Sequence, residues 1–208
     1  MRTLVIDTAT QALSVALFED SHMLGNFHAV VGRGHAEALL PAIAALPDGG
    51  RADRIAVDVG PGSFTGVRIG IAAARALGLA WNAPVHGYSA TSLIAAMAAR
   101  DHGDGPIAIT ITGGHGELFW QCFDAAGLEP LAPLASTPIA TLAQSLDTAT
   151  FYGTGAEALV TARGEGTAVN LYPDAASYLL IAARPALASR PIYGREADAK
   201  PMAEPIKP

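Results

Sequence analysis

A single cysteine, Cys122, stands in the whole chain. One thiol excludes an internal disulfide and a thiolate metal cluster and suits a reducing compartment, so the cytoplasm is the expected location. Basic charge is also scarce: 13 Lys and Arg against 19 Asp and Glu leave a formal net charge of −6. A protein that grips nucleic acid through its own phosphate contacts needs the opposite sign, so any nucleic acid has to be reached through a partner. Long apolar runs are missing too. The longest apolar-rich segment, Val67 to Trp81, carries Arg68 and Arg75 and falls short of the roughly 20 apolar residues of a membrane span. The opening stretch MRTLVIDTATQALSVALFED lacks the unbroken apolar core of a signal peptide, since Asp7, Thr8, Gln11 and Ser14 interrupt it, and no export is expected.

What is present suits a folded protein: 208 residues, 50% hydrophobic and 15% charged, enough for one large domain or two small ones. Thr3 to Thr8 and Leu13 to Phe18 are strand-like runs around the turn-rich ATQA and predict an opening hairpin. A third strand is expected over Met23 to Val31. His35 to Leu46 sets Leu39, Ile43 and Leu46 on one helical face, PDGG stops that helix, and Pro41 predicts a kink within it. Arg54 to Val59 reads as a strand, Val67 to Ala80 as a helix and Ser89 to Ala99 as another.

The turn-rich DHGDGP, residues 101 to 106, marks the expected boundary between a first unit, 1–102, and a smaller second unit, 103–208. The second unit opens like the first. At a constant offset of 105 residues Leu4 aligns with Ile109, Ile6 with Ile111, Asp7 with Thr112, Leu13 with Leu118 and Phe18 with Phe123. An offset of half the chain points to a duplication. TFYGTGAEAL then reads as a strand and glycine turn, and an alanine-rich helix is expected around Ala175 to Ala188. The proline-rich tail PIYGREADAKPMAEPIKP shows little apolar periodicity and is expected to be mobile at its end.

The stretch VDVGPGSFTGVRIG joins a strand to a long apolar helix through a glycine loop. A phosphate-binding P-loop needs Lys and then Ser or Thr after its last glycine, but Gly66 precedes Val67 and Arg68. A dinucleotide fingerprint needs tighter spacing than Gly60, Gly62 and Gly66 provide and an acidic residue further on, and no Asp or Glu lies between Val59 and Arg100. A nucleophile elbow needs glycine two residues either side of its serine, where Ser63 has Pro61 and Thr65. The loop instead reads as a device that aims a helix capped by Ser63 or Thr65. On that helix Gly66, Gly70, Ala74 and Gly78 recur every four residues as a groove for another helix. That second helix could belong to this chain or to another subunit.

Taken together, MRTLVIDTAT with LSVAL, GRGHAEALLPAI, GPGSFTGVRIGIAAARALGLA and PIYGREADAKP resemble the TsaB family, most specifically in GPGSFTGVRIG. The resemblance implies an α/β fold of the duplicated actin-like kind (ASKHA, ribonuclease H-like) with two related subdomains. It also implies a non-catalytic scaffold role in the complex that makes tRNA threonylcarbamoyladenosine. The partner would be the TsaD-type catalytic subunit, with the TsaE-type ATPase joining, tRNA reached only through the complex, and a homodimer when alone. Docking through the two helices of the first unit would use His35, Leu39, Ile43, Phe64, Gly66, Arg68, Gly70, Ala74 and Gly78. The catalytic paralogue's metal-binding histidine pair would fall on Tyr88 and Ser92, neither a suitable ligand, and the chain holds no HxxxH pair; no metal and no catalytic residue are expected. In actin-like enzymes two hairpin turns hold phosphates and an aspartate organises the metal's water shell. By that likeness Asp7, Thr8, Thr10, Thr112, Gly113, Gly114, Gly153 and Gly155 are candidate contacts for weak ATP or ADP with Mg²⁺ at a vestigial site, unless the glycines merely close hairpins.

Two rival readings stand beside the scaffold. An actin-like ATPase or kinase would use Asp7 and both turns; a peptidase would need an activated Ser63, for which no local motif exists. Cys122, alternating with aromatics, and Trp120 read as packing residues. Tyr193-Gly194-Arg195 resembles a family Tyr-Leu-Arg whose role the sequence does not give.

Overall fold

The computed structural model describes residues 1–102, 105–124 and 128–192. The tail expectation and Tyr193 to Arg195 lie outside the described residues. Two five-stranded sheets form the frame. In the first, β1 (Arg2–Asp7) and β2 (Ala12–Glu19) make the opening hairpin and β3 (His22–Val30) extends it; β4 (Arg54–Asp58) and β5 (Val85–Tyr88) add parallel strands on the other side of β1. The spatial order is β3-β2-β1-β4-β5. The second sheet repeats it with β6 (Ile107–Thr112), β7 (Glu117–Phe123), β8 (Ala135–Pro138), β9 (Thr150–Tyr152) and β10 (Thr167–Val169), in the order β8-β7-β6-β9-β10.

Helices repeat as well. α1 (His35–Ala44) and α2 (Phe64–Trp81) occupy the connections that α4 (Ile139–Ser145) and α5 (Ala156–Arg163) occupy in the second lobe. α3 (Ala90–His102) follows β5 as the 3-10 helix Ala175–Leu180 follows β10. These two cross over. Leu93, Ala96 and Met97 of α3 join Ala175, Tyr178 and Ile181 in one apolar cluster against Val5, Ala16 and Phe18 of the first sheet. Other α3 residues, Ile94, Ala95 and Ala98, share a cluster with Ile107, Ile109 and Phe123 of the second.

Several expectations are adjusted. The duplicate hairpin is real in topology, but Asp7 stands opposite Ser14 whereas Thr112 stands opposite Leu118, so the second turn is one residue shorter. The constant offset therefore holds for the first strand and slips in the second, where a one-residue shift exchanges the faces. The expected helix from Ala175 to Ala188 is only one 3-10 segment: Asp174 caps it, and past it Leu187 pairs with Gly87 as a strand-like bridge. β5, β8, α4, α5 and β10 are elements that the periodicity did not predict. α1 runs through Pro41 to Ala44, and PDGG ends it with Asp48, Gly49 and Gly50 at positive φ.

The glycine stripe of α2 faces inward. A Cβ on Gly66 would lie 2.1 Å from the Thr8 carbonyl, one on Gly70 2.4 Å from Thr8 Oγ1, and one on Gly78 2.5 Å from a Val85 methyl. Ala74 is fully buried. The groove expected to receive another subunit is filled by the first lobe's own sheet. The same correction applies on α1, where His35, Leu39 and Ile43 are buried and the His35 ring meets the Ala12 carbonyl at 3.2 Å.

Gly70→Val should therefore cost stability, roughly 1–3 kcal/mol as overpacking does, while Ala76→Val on the exposed side of α2 should change it by less than about 0.5 kcal/mol. Urea denaturation of the two variants decides the orientation. Equal effects would place the stripe at the surface.

Candidate functional site

A cleft of about 680 Å³ opens where the two hairpin turns and the glycine loop converge. Thr10, Gln11, Arg33, Ser63 and Phe64 come from the first lobe; Thr112, Gly113, Gly114, His115 and Thr154 come from the second. Of the candidate nucleotide contacts, the structure brings Thr10, Thr112, Gly113 and Gly114 to this cleft. Thr8 is elsewhere, its buried hydroxyl donating to the Gly66 carbonyl at 2.7 Å. Gly153 and Gly155 pack against β6 and β7, where a Cβ on the first would meet the Thr110 carbonyl at 2.4 Å and one on the second a Leu118 methyl at 2.6 Å. They let the β9–α5 loop approach the strand; Thr154 between them reaches the cleft.

Asp7 sits beneath the first turn with no exposed surface. It accepts from Ala9 N–H at 3.3 Å and from the Tyr88 hydroxyl at 3.0 Å. Beside it is Asp58, equally buried at the end of β4, whose Oδ1 accepts from Gly60 N–H at 2.7 Å. Its Oδ2 finds no protein N–H or O–H. Two carboxyl groups cannot both be charged in such a place. Burial pushes Asp7 up to about 6 despite its hydrogen bond from Asp58, and burial together with the Asp7 charge holds Asp58 well above the usual range. One proton shared by the two carboxyl groups relieves their repulsion and offers a role for the unpartnered Asp58 oxygen.

A water-shell role for Asp7 does not fit this geometry. The carboxylate is sealed off, and among the described residues no Asp or Glu lines the cleft and no group of three His, Cys, Asp or Glu is able to ligate a metal. Tyr88 and Ser92, where the paralogue's histidines would fall, line a second pocket of about 250 Å³. Tyr88 is committed to Asp7, and Tyr178 there meets the His86 ring at 3.0 Å. Ser63 Oγ caps α2 by accepting Gly66 N–H at 3.2 Å, and among the described residues no histidine or carboxylate hydrogen-bonds to it. Cys122 is half-buried on β7, its thiol pushed up by burial, and Trp120 donates to Thr137 Oγ1 at 2.9 Å.

A second surface lies on the outside of α1 and α2. Leu40 is 55% exposed, Phe64 66% and Leu79 87%, and Ala36, Ala44, Ala72, Ala76 and Ala80 are exposed on the same two helices. Among the interface candidates only Phe64 and Arg68 are outward, with the Arg68 guanidinium 3.2 Å above the Phe64 ring. Arg75 donates to the Ser189 carbonyl.

Sequence reasoning passed over Asp58, Arg33, Gln11 and Thr154. For Asp58 a signal was there: LVID and IAVD are two apolar strands that each end in Asp before a turn.

Doubled sheets of one strand order, joined by crossing helices around a cleft between two hairpin turns, define a duplicated actin-like α/β protein. A family model described as TsaD, tRNA N6-adenosine threonylcarbamoyltransferase, matches residues 22–160. The structure titled YeaZ from Pseudomonas aeruginosa superposes with a TM-score of 0.78 at 30% identity, over 92% of this chain and 99% of that one. Escherichia coli tRNA threonylcarbamoyladenosine biosynthesis protein TsaB is 38% identical over 125 residues, 58% of this chain and 54% of that protein. The Bacillus subtilis protein of the same name is 30% identical over 124 residues, 57% and 53% of the two chains. The matches thus span about half the length of these curated relatives. The chain belongs to the TsaB family, within the wider set of TsaD-related sequences.

The carboxyl pair generates a pH prediction. A carboxyl whose folded pKa is raised binds its proton more tightly folded than unfolded, so its contribution is full below the unfolded value of 3.8 and is lost as pH rises through the folded value. Asp58→Asn keeps the acceptor for Gly60 and supplies an N–H for Asp7 without a titrating proton. The melting temperature of the variant relative to wild type should rise between pH 5 and pH 8; parallel profiles would refute the shared proton.

Proposed function

We propose that this chain is a non-catalytic scaffold subunit of the complex that synthesises threonylcarbamoyladenosine in tRNA, working in the cytoplasm. It docks a TsaD-type catalytic subunit through the outward face of α1 and α2. The TsaE-type ATPase joins the same assembly, and tRNA is reached only through it. The observation that carries this reading is the exposed face itself. Leu79 at 87% exposure, Leu40 and a series of alanines form an apolar two-helix surface of a kind that a soluble protein covers with another helix pair. Small side chains let a partner's backbone come close, and family membership supplies a partner of related fold, for which a helix-to-helix pairing is natural. In the free protein a second copy would cover the same surface as a homodimer.

A subunit without chemistry of its own is supported by what surrounds the polar groups. Ser63 is a helix cap, Cys122 carries a raised thiol, and Asp7 and Asp58 are sealed away from solvent. The ATPase or kinase reading asks for a carboxylate facing the phosphates, and the described residues of the cleft wall supply none.

Co-purification with the TsaD-type protein of the same organism tests the proposal. Leu79→Glu and Ala76→Glu should each weaken the complex at least about tenfold, roughly 1.4 kcal/mol, and lower tRNA modification in a reconstituted reaction, while leaving the melting temperature of the isolated chain nearly unchanged. Undiminished binding by both variants would move the interface off these helices.

A further inference from the structure

Two loops meet at the start of α2, and each is tied to its own buried carboxyl group. Asp7 at the end of β1 accepts from Ala9 N–H at 3.3 Å, which holds the hairpin turn. Asp58 at the end of β4 accepts from Gly60 N–H at 2.7 Å, which holds the glycine loop. The loops in turn join each other, Ser63 N–H donating to the Ala9 carbonyl at 2.6 Å and the Thr8 hydroxyl to the Gly66 carbonyl at 2.7 Å. These contacts make a ring that runs from Asp7 through Ala9, Ser63 and Gly60 to Asp58. Its one gap lies between the two carboxyl groups, where Asp58 Oδ2 is buried and has no hydrogen-bond partner among the described residues.

A proton shared across that gap closes the ring. Without it two carboxylates face each other where neither is exposed, and like charges so placed drive their carriers apart. The strands themselves are fixed, since β1 and β4 pair in parallel as far as Ile6 and Val57, so the loops beyond them are what yields. We propose that the shared proton is the clasp that sets the direction of α2 and, taking the outward face of α1 and α2 as the partner surface, that this face is aligned for docking only while the clasp is closed. Other titratable groups face the pair. From β5 the Tyr88 hydroxyl donates to Asp7 at 3.0 Å; behind it Tyr178 of the 3-10 helix lies ring to ring at 5.4 Å and meets the His86 ring. Asp174, just before that helix, adds a negative charge that favours the protonated pair. Both carboxyl groups are raised, so the clasp is closed at the acid end and opens as the shared proton leaves with rising pH.

Amide exchange by NMR on the isolated chain and affinity for the TsaD-type protein, each from about pH 6 to about pH 9, test this. Corrected for intrinsic exchange, protection of the Gly60 and Ser63 amides should fall roughly tenfold, the equivalent of one pKa unit. Protection of Leu159 N–H, which donates to the Gly155 carbonyl in the second lobe, should stay constant. Partner affinity should fall in parallel with the first two amides. In Asp58→Asn, whose amide closes the ring without a titrating proton, protection and affinity should both change less than about twofold. Tyr88→Phe keeps both carboxyl groups and removes one donor to the Asp7 carboxylate, so it should move the transition to higher pH. Constant protection in the wild type, an equal fall at Leu159, or parallel profiles for wild type and Asp58→Asn would overturn the clasp. Protection that follows pH beside an affinity that ignores it would overturn the link to docking. No association at any pH would overturn the scaffold reading and with it that link, the clasp itself being decided by exchange.

Discussion

The first hairpin turn and the start of α2 are held backbone to backbone. Ser63 N–H donates to the Ala9 carbonyl at 2.6 Å, and the Thr8 hydroxyl donates to the Gly66 carbonyl at 2.7 Å. A Cβ on Gly62 would sit 2.0 Å from that Ala9 oxygen, a distance no side chain can occupy. Much else depends on this contact. It sets the direction in which α2 leaves the loop, and with it which residues face the sheet and which face out. It also brings Ser63 and Phe64 beside Thr10 and Gln11, so the first wall of the cleft follows from the same close approach. The loop that resembled phosphate and nucleophile motifs is thus a structural joint, and its glycines answer to backbone proximity.

The second lobe has its own version of the joint in Gly153-Thr154-Gly155, laid against Thr110. Beyond β6, which matches β1 in length, its elements are shorter: α5 has 8 residues where α2 has 18. Such a lobe covers its sheet poorly alone, and α3 crossing from the first lobe supplies the missing apolar layer. The return is made by the 3-10 helix Ala175–Leu180, fixed to β2 through Ser14, which donates to Asp174 at 3.0 Å and accepts from Ala175 N–H at 2.9 Å. The lobes are therefore coupled by exchange of their third helices. A division of the chain at the DHGDGP turn describes the order of elements along the sequence better than the order of packing.

Much of the fold was legible because its signals are local. Alternating apolar residues gave β1, β2 and β4, and the long apolar periodicity gave α2 and α3 within a few residues. What escaped depends on distant partners. β5 and β10 are short strands whose identity comes from lying beside β4 and β9, and the alanine-rich stretch after Asp174 is shortened because Leu187 finds a strand partner in Gly87. The site was harder to read for a related reason. Period-four spacing of Gly66, Gly70, Ala74 and Gly78 shows that one face of α2 packs closely, but spacing carries no information about whether the neighbour is intramolecular. Only the position of Thr8, Val57 and Val85 settles it. Asp7 was found by its turn, whereas its effect depends on Asp58, which is far away in sequence.

The carboxyl pair and the cleft also bear on one another. Asp7 lies under the turn that carries Thr10 and Gln11, and two negative charges there would repel each other in a place that water does not reach. Sharing a proton halves that charge, and both Asp7 oxygens are occupied, Oδ1 by Ala9 N–H and Oδ2 by the Tyr88 hydroxyl. Its field is spent within the core at hydrogen-bond distance, where the low dielectric makes such contacts strongest. Burial of the pair therefore closes the C-terminal ends of β1 and β4 against each other and keeps both carboxyl groups out of the cleft that Thr10 and Gln11 line.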